Sequence, residues 1–479
     1  MRALRGLTYP ILLAGLFFFR LALVWRSNSA HLYFYADSAP HVMLDWLQCH
    51  GAWGGIKLEP YWFSLVGPLR CAAWDVFPDI FYAPIALNAL LGILILLFFY
   101  LGVRTTSGPG VGLLAGLLFV SVPSFCRLVL SGQPEVVYLL FISAAFYSIC
   151  LSPEGGGSFI GLLAFWVSSY ARTEGIGFFV IYSSFLCWLH RRQRLHFFGL
   201  IAVTTIALKV RFPALISHGY KAYSENSDAN IFPFLQHVFY LPRSVFNEFD
   251  PSLALIALPL GLFWRLSGAL KPPHPLQKSL RATCILAYGN LAMLLFSSWF
   301  FLMAWESERN LCAPLLLLSG CSAVALFDIY SFLPRRSLKI TAIAALAATL
   351  LISWKSTLVP HHEYLSEPLL RARAIGRALR RNLPLAFSQD SGRGKVLLFE
   401  NAEVGWADIA VFSGLGDSLR LINASSDPMF DPLRTRSGEE AWGMLVRTGM
   451  TKNRLDAIHG KSREICPVQD YTLYAFERR

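Results

Sequence analysis

The chain has 479 residues, of which 55% are hydrophobic and only 15% charged, a balance too apolar for an ordinary soluble protein of this length. Its formal charge of +12 does not mark a nucleic-acid binder. From Leu358 onward 17 Lys and Arg stand against 15 Asp and Glu, leaving 25 against 15 before it, and that excess falls mostly in short connections between apolar runs, not in a groove-binding stripe. Nucleic acid is therefore excluded as a partner, and composition points to a polytopic helical membrane protein.

The first apolar run, about Thr8 to Trp25, follows Met1-Arg2-Ala3-Leu4-Arg5 and closes on no small-residue cleavage site. It reads as a retained helix, not a secretory signal. Arg20 lies near one end of it, from which its side chain is expected to snorkel to the interface. A span needs about 20 mostly apolar residues, and further spans are predicted over 80–103, 109–123, 134–151, 159–170, 175–189, 195–210, 252–266, 282–301, 311–330 and 338–354. That makes about eleven. Arg104, His190-Arg191-Arg192-Gln193-Arg194, the segment from Lys271 to Arg281, and Pro334-Arg335-Arg336 then share one side, which the positive-inside rule makes cytoplasmic together with the N-terminus.

The other side receives the loop 26–79, turns near 127–135 and 172–174, the loop 211–250, the turn 305–310 and everything beyond Leu358. The first loop opens Tyr33-Phe34-Tyr35-Ala36-Asp37-Ser38-Ala39-Pro40-His41, placing a lone carboxylate, Asp37, just past the end of the first span. Trp46, Trp53, Tyr61, Trp62 and Trp74 follow it, and Val42, Met43, Trp46 and Leu47 recur at helical spacing, which predicts an amphipathic helix lying on the membrane surface. Asp37 also stands where an N-cap of that helix would stand. Cys49 and Cys71 share this loop, where a disulfide is open to them; no C-x-x-C pair occurs, and most other cysteines fall within predicted spans.

In the loop 211–250, the aromatics Tyr220, Tyr223, Phe232, Phe234, His237, Phe239 and Tyr240 suit an interfacial belt or the stacking of sugars. From Glu363 the composition turns soluble: helices are predicted over 369–381, 403–412 and 438–447, and strands over 395–399, 419–423 and 471–476. Alternating elements suggest a small α/β domain of about 120 residues. The domains so drawn are 1–357, membrane-embedded and including the first loop, and 358–479, outside the membrane.

Besides Asp37, the ionisable residues on the outer side near span ends are Lys57, Arg70, Arg127, Glu135, Arg172, Glu174, Glu306, Glu308 and Arg309. Charges beside hydrocarbon pair with one another or bind a polar ligand. Each also has a plainer explanation. Glu135 starts a helix after a proline, where the macrodipole favours an acid; Arg309 has Glu306 and Glu308 for partners; Arg172 and Glu174 could hold a turn. His41, one helical turn from Asp37, would give a metal a two-residue start.

The order of these features resembles a known family. Asp37 precedes a surface helix, then Gly51 to Gly55 and Glu59-Pro60-Tyr61-Trp62. Ser131-Gly132-Gln133-Pro134-Glu135 opens the fourth span, Ala171-Arg172-Thr173-Glu174-Gly175 is similar to an Arg-Pro-Glu-Gly turn, and Glu308-Arg309-Asn310-Leu311-Cys312-Ala313-Pro314 is similar to an Arg-Tyr-hydrophobic-Pro helix entry. Together they look like the GT-C glycosyltransferases, in the branch of protein O-mannosyltransferases (glycosyltransferase family 39) and the lipid A aminoarabinose transferase.

The resemblance implies a GT-C transmembrane fold and an inverting transfer of a sugar from a polyprenyl-phosphate donor, in a bacterial inner membrane more than an endoplasmic reticulum. By position, Asp37 becomes the base and Glu135 the second acid, near the acceptor or a divalent metal. Arg309, with Arg172 and Lys57, would hold the donor phosphate; Glu174, Trp62 and Tyr61 would contact substrate. The acceptor would be a protein, a lipid or a glycan. The competing readings are a transporter or flippase of such lipids, and a non-catalytic scaffold.

Overall fold

In the computed structural model the described residues are 2–27, 32–33, 38–50, 63–152, 156–172, 174–189, 202, 282–292, 308–357, 367–382, 395–399, 406–415, 419–421, 440–447, 462–468 and 471–476. They form α1 (Arg2–Ser27), α2 (Ser38–Cys49), α3 (Phe63–Val76), α4 (Tyr82–Ser107), α5 (Pro109–Val120), α6 (Pro123–Leu130), α7 (Glu135–Leu151), α8 (Gly156–Ser168) and α9 (Glu174–Leu189). Then come α10 (Ala282–Ala292), α11 (Glu308–Phe332), α12 (Arg336–Thr357), α13 (Glu367–Asn382) and α14 (Trp406–Ser413), with strands β1 (Lys395–Phe399), β2 (Leu419–Leu421), β3 (Glu440–Arg447), β4 (Ser462–Val468) and β5 (Tyr471–Phe476). Two compact units emerge: Met1–Ser29 with Asn88–Leu130 and Pro134–Pro360, and Ala30–Leu87 with Ser131–Gln133 and His361–Arg479. The first loop thus groups with the C-terminal segment.

The first unit is helical. Thr8–Ser27, Tyr82–Ser107 and Leu311–Ser331 are long and apolar enough to cross a membrane, and α5 with α6 adds a fourth candidate if that pair, bent by 66°, is one span. The chain is an integral membrane protein. Helices suit this setting because each satisfies its own backbone hydrogen bonds where no water can. The expected span 252–266 and, apart from residue 202, the one over 195–210 lie outside the described residues, as does the aromatic loop 211–250.

The stretch read as a turn near 127–135 starts instead with a buried helix, α6, for which Pro123 supplies a first residue while disfavouring helical backbone just before it. Helix α11 packs against α5, α6 and α7, and the Cys312 thiol donates to Ser124 Oγ at 3.1 Å. Arg20 does not snorkel to an interface. It is 1% exposed inside the unit, its guanidinium 5.6 Å from the Trp354 ring centroid, and the Trp354 indole N–H donates to Ser121 Oγ at 2.9 Å. An aromatic face is a low-cost partner for a cation already removed from water.

The second unit contains the sheet, ordered β2-β1-β3-β5-β4. Strand β1 runs parallel to β2 and β3, and β5 is antiparallel to both β3 and β4. Residues 438–447, expected as a helix, instead form β3 over Glu440–Arg447. Its Gly443 to Arg447 pair with Tyr471 to Ala475 of β5 while its other edge pairs with β1, so ladder bonds on both sides override the helix-forming Glu-Ala-Trp start. β4 has no counterpart among the expected elements. It is an edge strand, where Pro467 is tolerated.

Helix α2 is present, but not as a float on the membrane surface. Val42, Met43 and Leu47 are at most 1% exposed, and α2 packs on α3 and α14. Its apolar stripe is covered by protein.

Candidate active site

Asp37, Lys57, Tyr61 and Trp62 lie outside the described residues. What the structure defines is the frame on either side of them in the chain. Helix α2 begins at Ser38, immediately after Asp37, and its first turn is tied to the segment 131–133. The Gln133 side-chain amide donates to Ser38 Oγ at 2.8 Å, and its carbonyl oxygen lies 3.2 Å from His41 Nδ1. With Gln133 so oriented, His41 Nδ1 carries the proton. Among the described residues no group of three or more His, Cys, Asp or Glu is arranged to hold a metal, and His41 turns one ring nitrogen to a glutamine. The described side chains do not make a metal-ligand set.

One turn further on, Asp45 is fully buried and ion-paired with Arg70 of α3, which also donates to the Gly132 carbonyl. Gly132 has φ +61°, and a Cβ there would lie 3.1 Å from Pro84 Cβ and 3.3 Å from both the Tyr33 ring and Val42 Cγ2. Only glycine fits that turn without strain. Cys49 and Cys71 form a disulfide joining the end of α2 to α3.

On the other side of Asp37, Tyr33 adopts φ +63°, a left-handed conformation uncommon for a bulky residue. Its hydroxyl donates to the Phe81 carbonyl at 2.7 Å. Burial pushes the phenol pKa well up, against the opposing pull chiefly of Arg70, so the hydroxyl remains a donor. Arg373 of α13 donates to the Tyr33 carbonyl and, through Nε, to Asp408 Oδ1 at 2.6 Å. Burial raises the Asp408 carboxyl above its ordinary range, with Arg373 pulling it the other way.

In the helical unit, Glu135 and Arg172 are brought together. Glu135 sits in the first turn of α7, where the N-terminal dipole favours an acid, and its Oε1 is 3.1 Å from Arg172 Nη1. Glu135 is 2% exposed and Arg172 13%. Arg172 is carried on a tight turn between α8 and α9: its amide donates to the Ser168 carbonyl and its carbonyl accepts from Gly175, each at 3.0 Å. A Cβ on Gly175 would come within 2.5 Å of Ser168 Oγ and 2.6 Å of the Ser169 nitrogen, so the turn closes only around glycine. A buried carboxylate beside a guanidinium can take a proton or accept a hydroxyl, while the guanidinium's planar fork suits a phosphate. Arg309 lies in the first turn of α11 and Glu174 starts α9; their side chains lie outside the described part.

Four further residues emerge only from the structure: Gln133, Asp45, Arg373 and Arg380. Gln133 stands inside the motif Ser131 to Glu135, but nothing in its surroundings distinguishes a hub from a turn residue. Arg373 and Arg380 are two of five arginines in α13.

The fold that these helices define is the GT-C fold. The chain is similar along its length to ArnT, the aminoarabinose transferase, from Cupriavidus metallidurans bound to undecaprenyl phosphate, at 13% identity over 98% of each chain with a TM-score of 0.56. It is equally similar to the same protein in the apo state, at 13% identity over 99% of this chain and 98% of that one, with a TM-score of 0.55. No family model matches the sequence, and no curated protein matches it.

Proposed function

We propose that the chain is a membrane glycosyltransferase that moves a sugar from a polyprenyl-phosphate donor to an acceptor on the extracytoplasmic side, with inversion. The observation that carries this reading is the end-to-end likeness to a structure bound to undecaprenyl phosphate, covering 98% of both chains. Two features of this chain support it. The buried Glu135–Arg172 pair supplies an acid and a phosphate-type ligand. The Cys49–Cys71 disulfide suits the oxidising side of a membrane, which supports reading the first loop as extracytoplasmic.

In the reaction, an acceptor hydroxyl attacks the anomeric carbon of the sugar and its proton passes to Asp37. The bond from that carbon to the phosphate oxygen breaks, and the polyprenyl phosphate leaves with the electron pair. Arg309, Arg172 and Lys57 stabilise the charge growing on the phosphate, Glu135 serves as the second acid, and Glu174, Trp62 and Tyr61 hold the sugar and acceptor. The acceptor is a protein, a lipid or a glycan. A second reading, transport of such lipids, draws on one observation, the 66° break between α5 and α6, since broken helices are common in transporters.

The test is transfer by purified protein from a labelled polyprenyl-phosphate sugar. Asp37→Asn is expected to slow it by roughly 10²–10⁴-fold, the usual worth of a general base. A variant as fast as the parent removes Asp37 from that role. Movement of the lipid across vesicles without any transfer favours the transport reading.

A further inference from the structure

We propose that α13 positions the first loop for catalysis, with Arg373 gripping its entrance and Arg380 its exit; the inference rests on the reading of Asp37 as the base. The two arginines are seven residues apart, which is two helical turns and therefore one face of α13. From that face each reaches an opposite end of a loop lying some 300 residues earlier in the chain.

At the entrance, Arg373 is fully buried and divides its guanidinium between two tasks. Nε is held by Asp408 of α14, and Nη1 donates to the Tyr33 carbonyl, with the Leu32 carbonyl at 3.5 Å. Lysine would serve both partners poorly, because its three donors sit on one compact nitrogen, whereas guanidinium spreads its donors over a fixed planar fork. The grip falls at the left-handed backbone of Tyr33. A bulky residue in that conformation persists only where its surroundings over-determine it.

At the exit, Arg380 pairs with Asp79, and its guanidinium lies over the rings of Phe81 and Tyr82, 5.5 and 4.8 Å from their centroids. Asp79 also caps α4, its Oδ1 accepting from the amides of Phe81 and Tyr82 at 2.9 and 3.0 Å. Entrance and exit are tied to each other as well, through the Tyr33 hydroxyl on the Phe81 carbonyl and a ring cluster of Tyr33, Phe81 and Phe412 with centroids 5.1 to 5.6 Å apart.

Asp37 follows Tyr33 by four residues and precedes Ser38, which Gln133 holds. The base therefore sits in the chain between two fixed points, one set by α13. Arg373 and Arg380 touch no reacting atom in this scheme and are positioning residues. Their effect should fall on the chemical step, not on donor binding.

The test uses the full chain in lipid nanodiscs and two substitutions, Arg380→Gln and Arg373→Lys, neither of which removes a packed side chain outright. Amide hydrogen exchange is read first, because it needs no substrate. Both variants should exchange faster across 32–50 and 77–82 while α7, α8 and α11 are unchanged. Transfer is read second: kcat should fall by up to about a hundredfold, the order of loss from a misplacement of about 1 Å caused far from the chemistry, with the donor KM within about twofold of the parent. Asp79→Asn, which keeps a capping oxygen, should match Arg380→Gln, and the double variant should lose no more than either alone.

Unchanged exchange in both variants overturns the grip itself. Faster exchange with an unchanged kcat, or with a raised donor KM alone, overturns its positioning role. If the parent protein transfers no sugar but both variants loosen the loop, α13 still holds the loop while the catalytic reading of Asp37 fails.

Discussion

The two units handle charge in opposite ways. Among the described residues of the helical unit, Arg20 lies against the Trp354 ring and Glu135 pairs with Arg172. The loop unit is joined by charge and covalent chemistry across long chain separations: Arg70 to Asp45 and Gly132, Arg373 to Tyr33 and Asp408, Arg380 to Asp79, and a disulfide. In lipid a helix satisfies its own backbone, so an element forms before it has a partner. A loop of this length has no such support along its whole extent, and several of its polar ties reach residues far away in the chain, Gly132, Arg373 and Arg380 among them.

That contrast can be broken at graded strengths. The largest effect is expected from Asp45→Ala, which leaves Arg70 buried without its carboxylate; removing one partner of a buried pair costs about 3–5 kcal/mol. Thermal unfolding of the variant should show early loss of protection in α2 and α3 with α7 and α8 intact. Simultaneous loss across both units would mean that they do not unfold separately. Replacing Cys49 and Cys71 together by Ser should cost about 3 kcal/mol in the chain-entropy account of a loop of this size, and should give the loop a sensitivity to denaturant that reductant no longer changes. The smallest effect belongs to the helical unit: Gly175→Ala forces a methyl against Ser168 and Ser169 and should cost about 1–3 kcal/mol as overpacking, read as faster proteolysis at the turn before α9.

The same contrast explains what could be read from sequence. Hydropathy located the helices α4, α7, α8, α9 and α11 to within a few residues, and the apolar part of α1, because an apolar helical run is a local property. Strands β1 and β5 were legible from their apolar runs. β3 was not, since Glu440-Ala-Trp suits a helix until neighbours on both edges claim it. Arg127, read as a charge in a connecting turn, belongs to the buried helix α6. At the candidate site, Glu135 and Arg172 were both named and the structure pairs them, but Gln133, Arg373 and Arg380 act through contacts 92, 340 and 301 residues apart in the chain. No local pattern carries such a distance.

The grip of Arg373 on Tyr33 spans 340 residues of chain, and that separation has a consequence for how the protein is made. At roughly 5–20 residues per second of synthesis, the first loop emerges on the order of 17–70 s before the helix that will hold it exists. During that interval Cys49 and Cys71, only 22 residues apart, already have each other within reach. The disulfide, like the Arg70–Asp45 pair 25 residues apart, can thus be in place while the ribosome is still working, and an early-sealed loop is what α13 meets when it arrives.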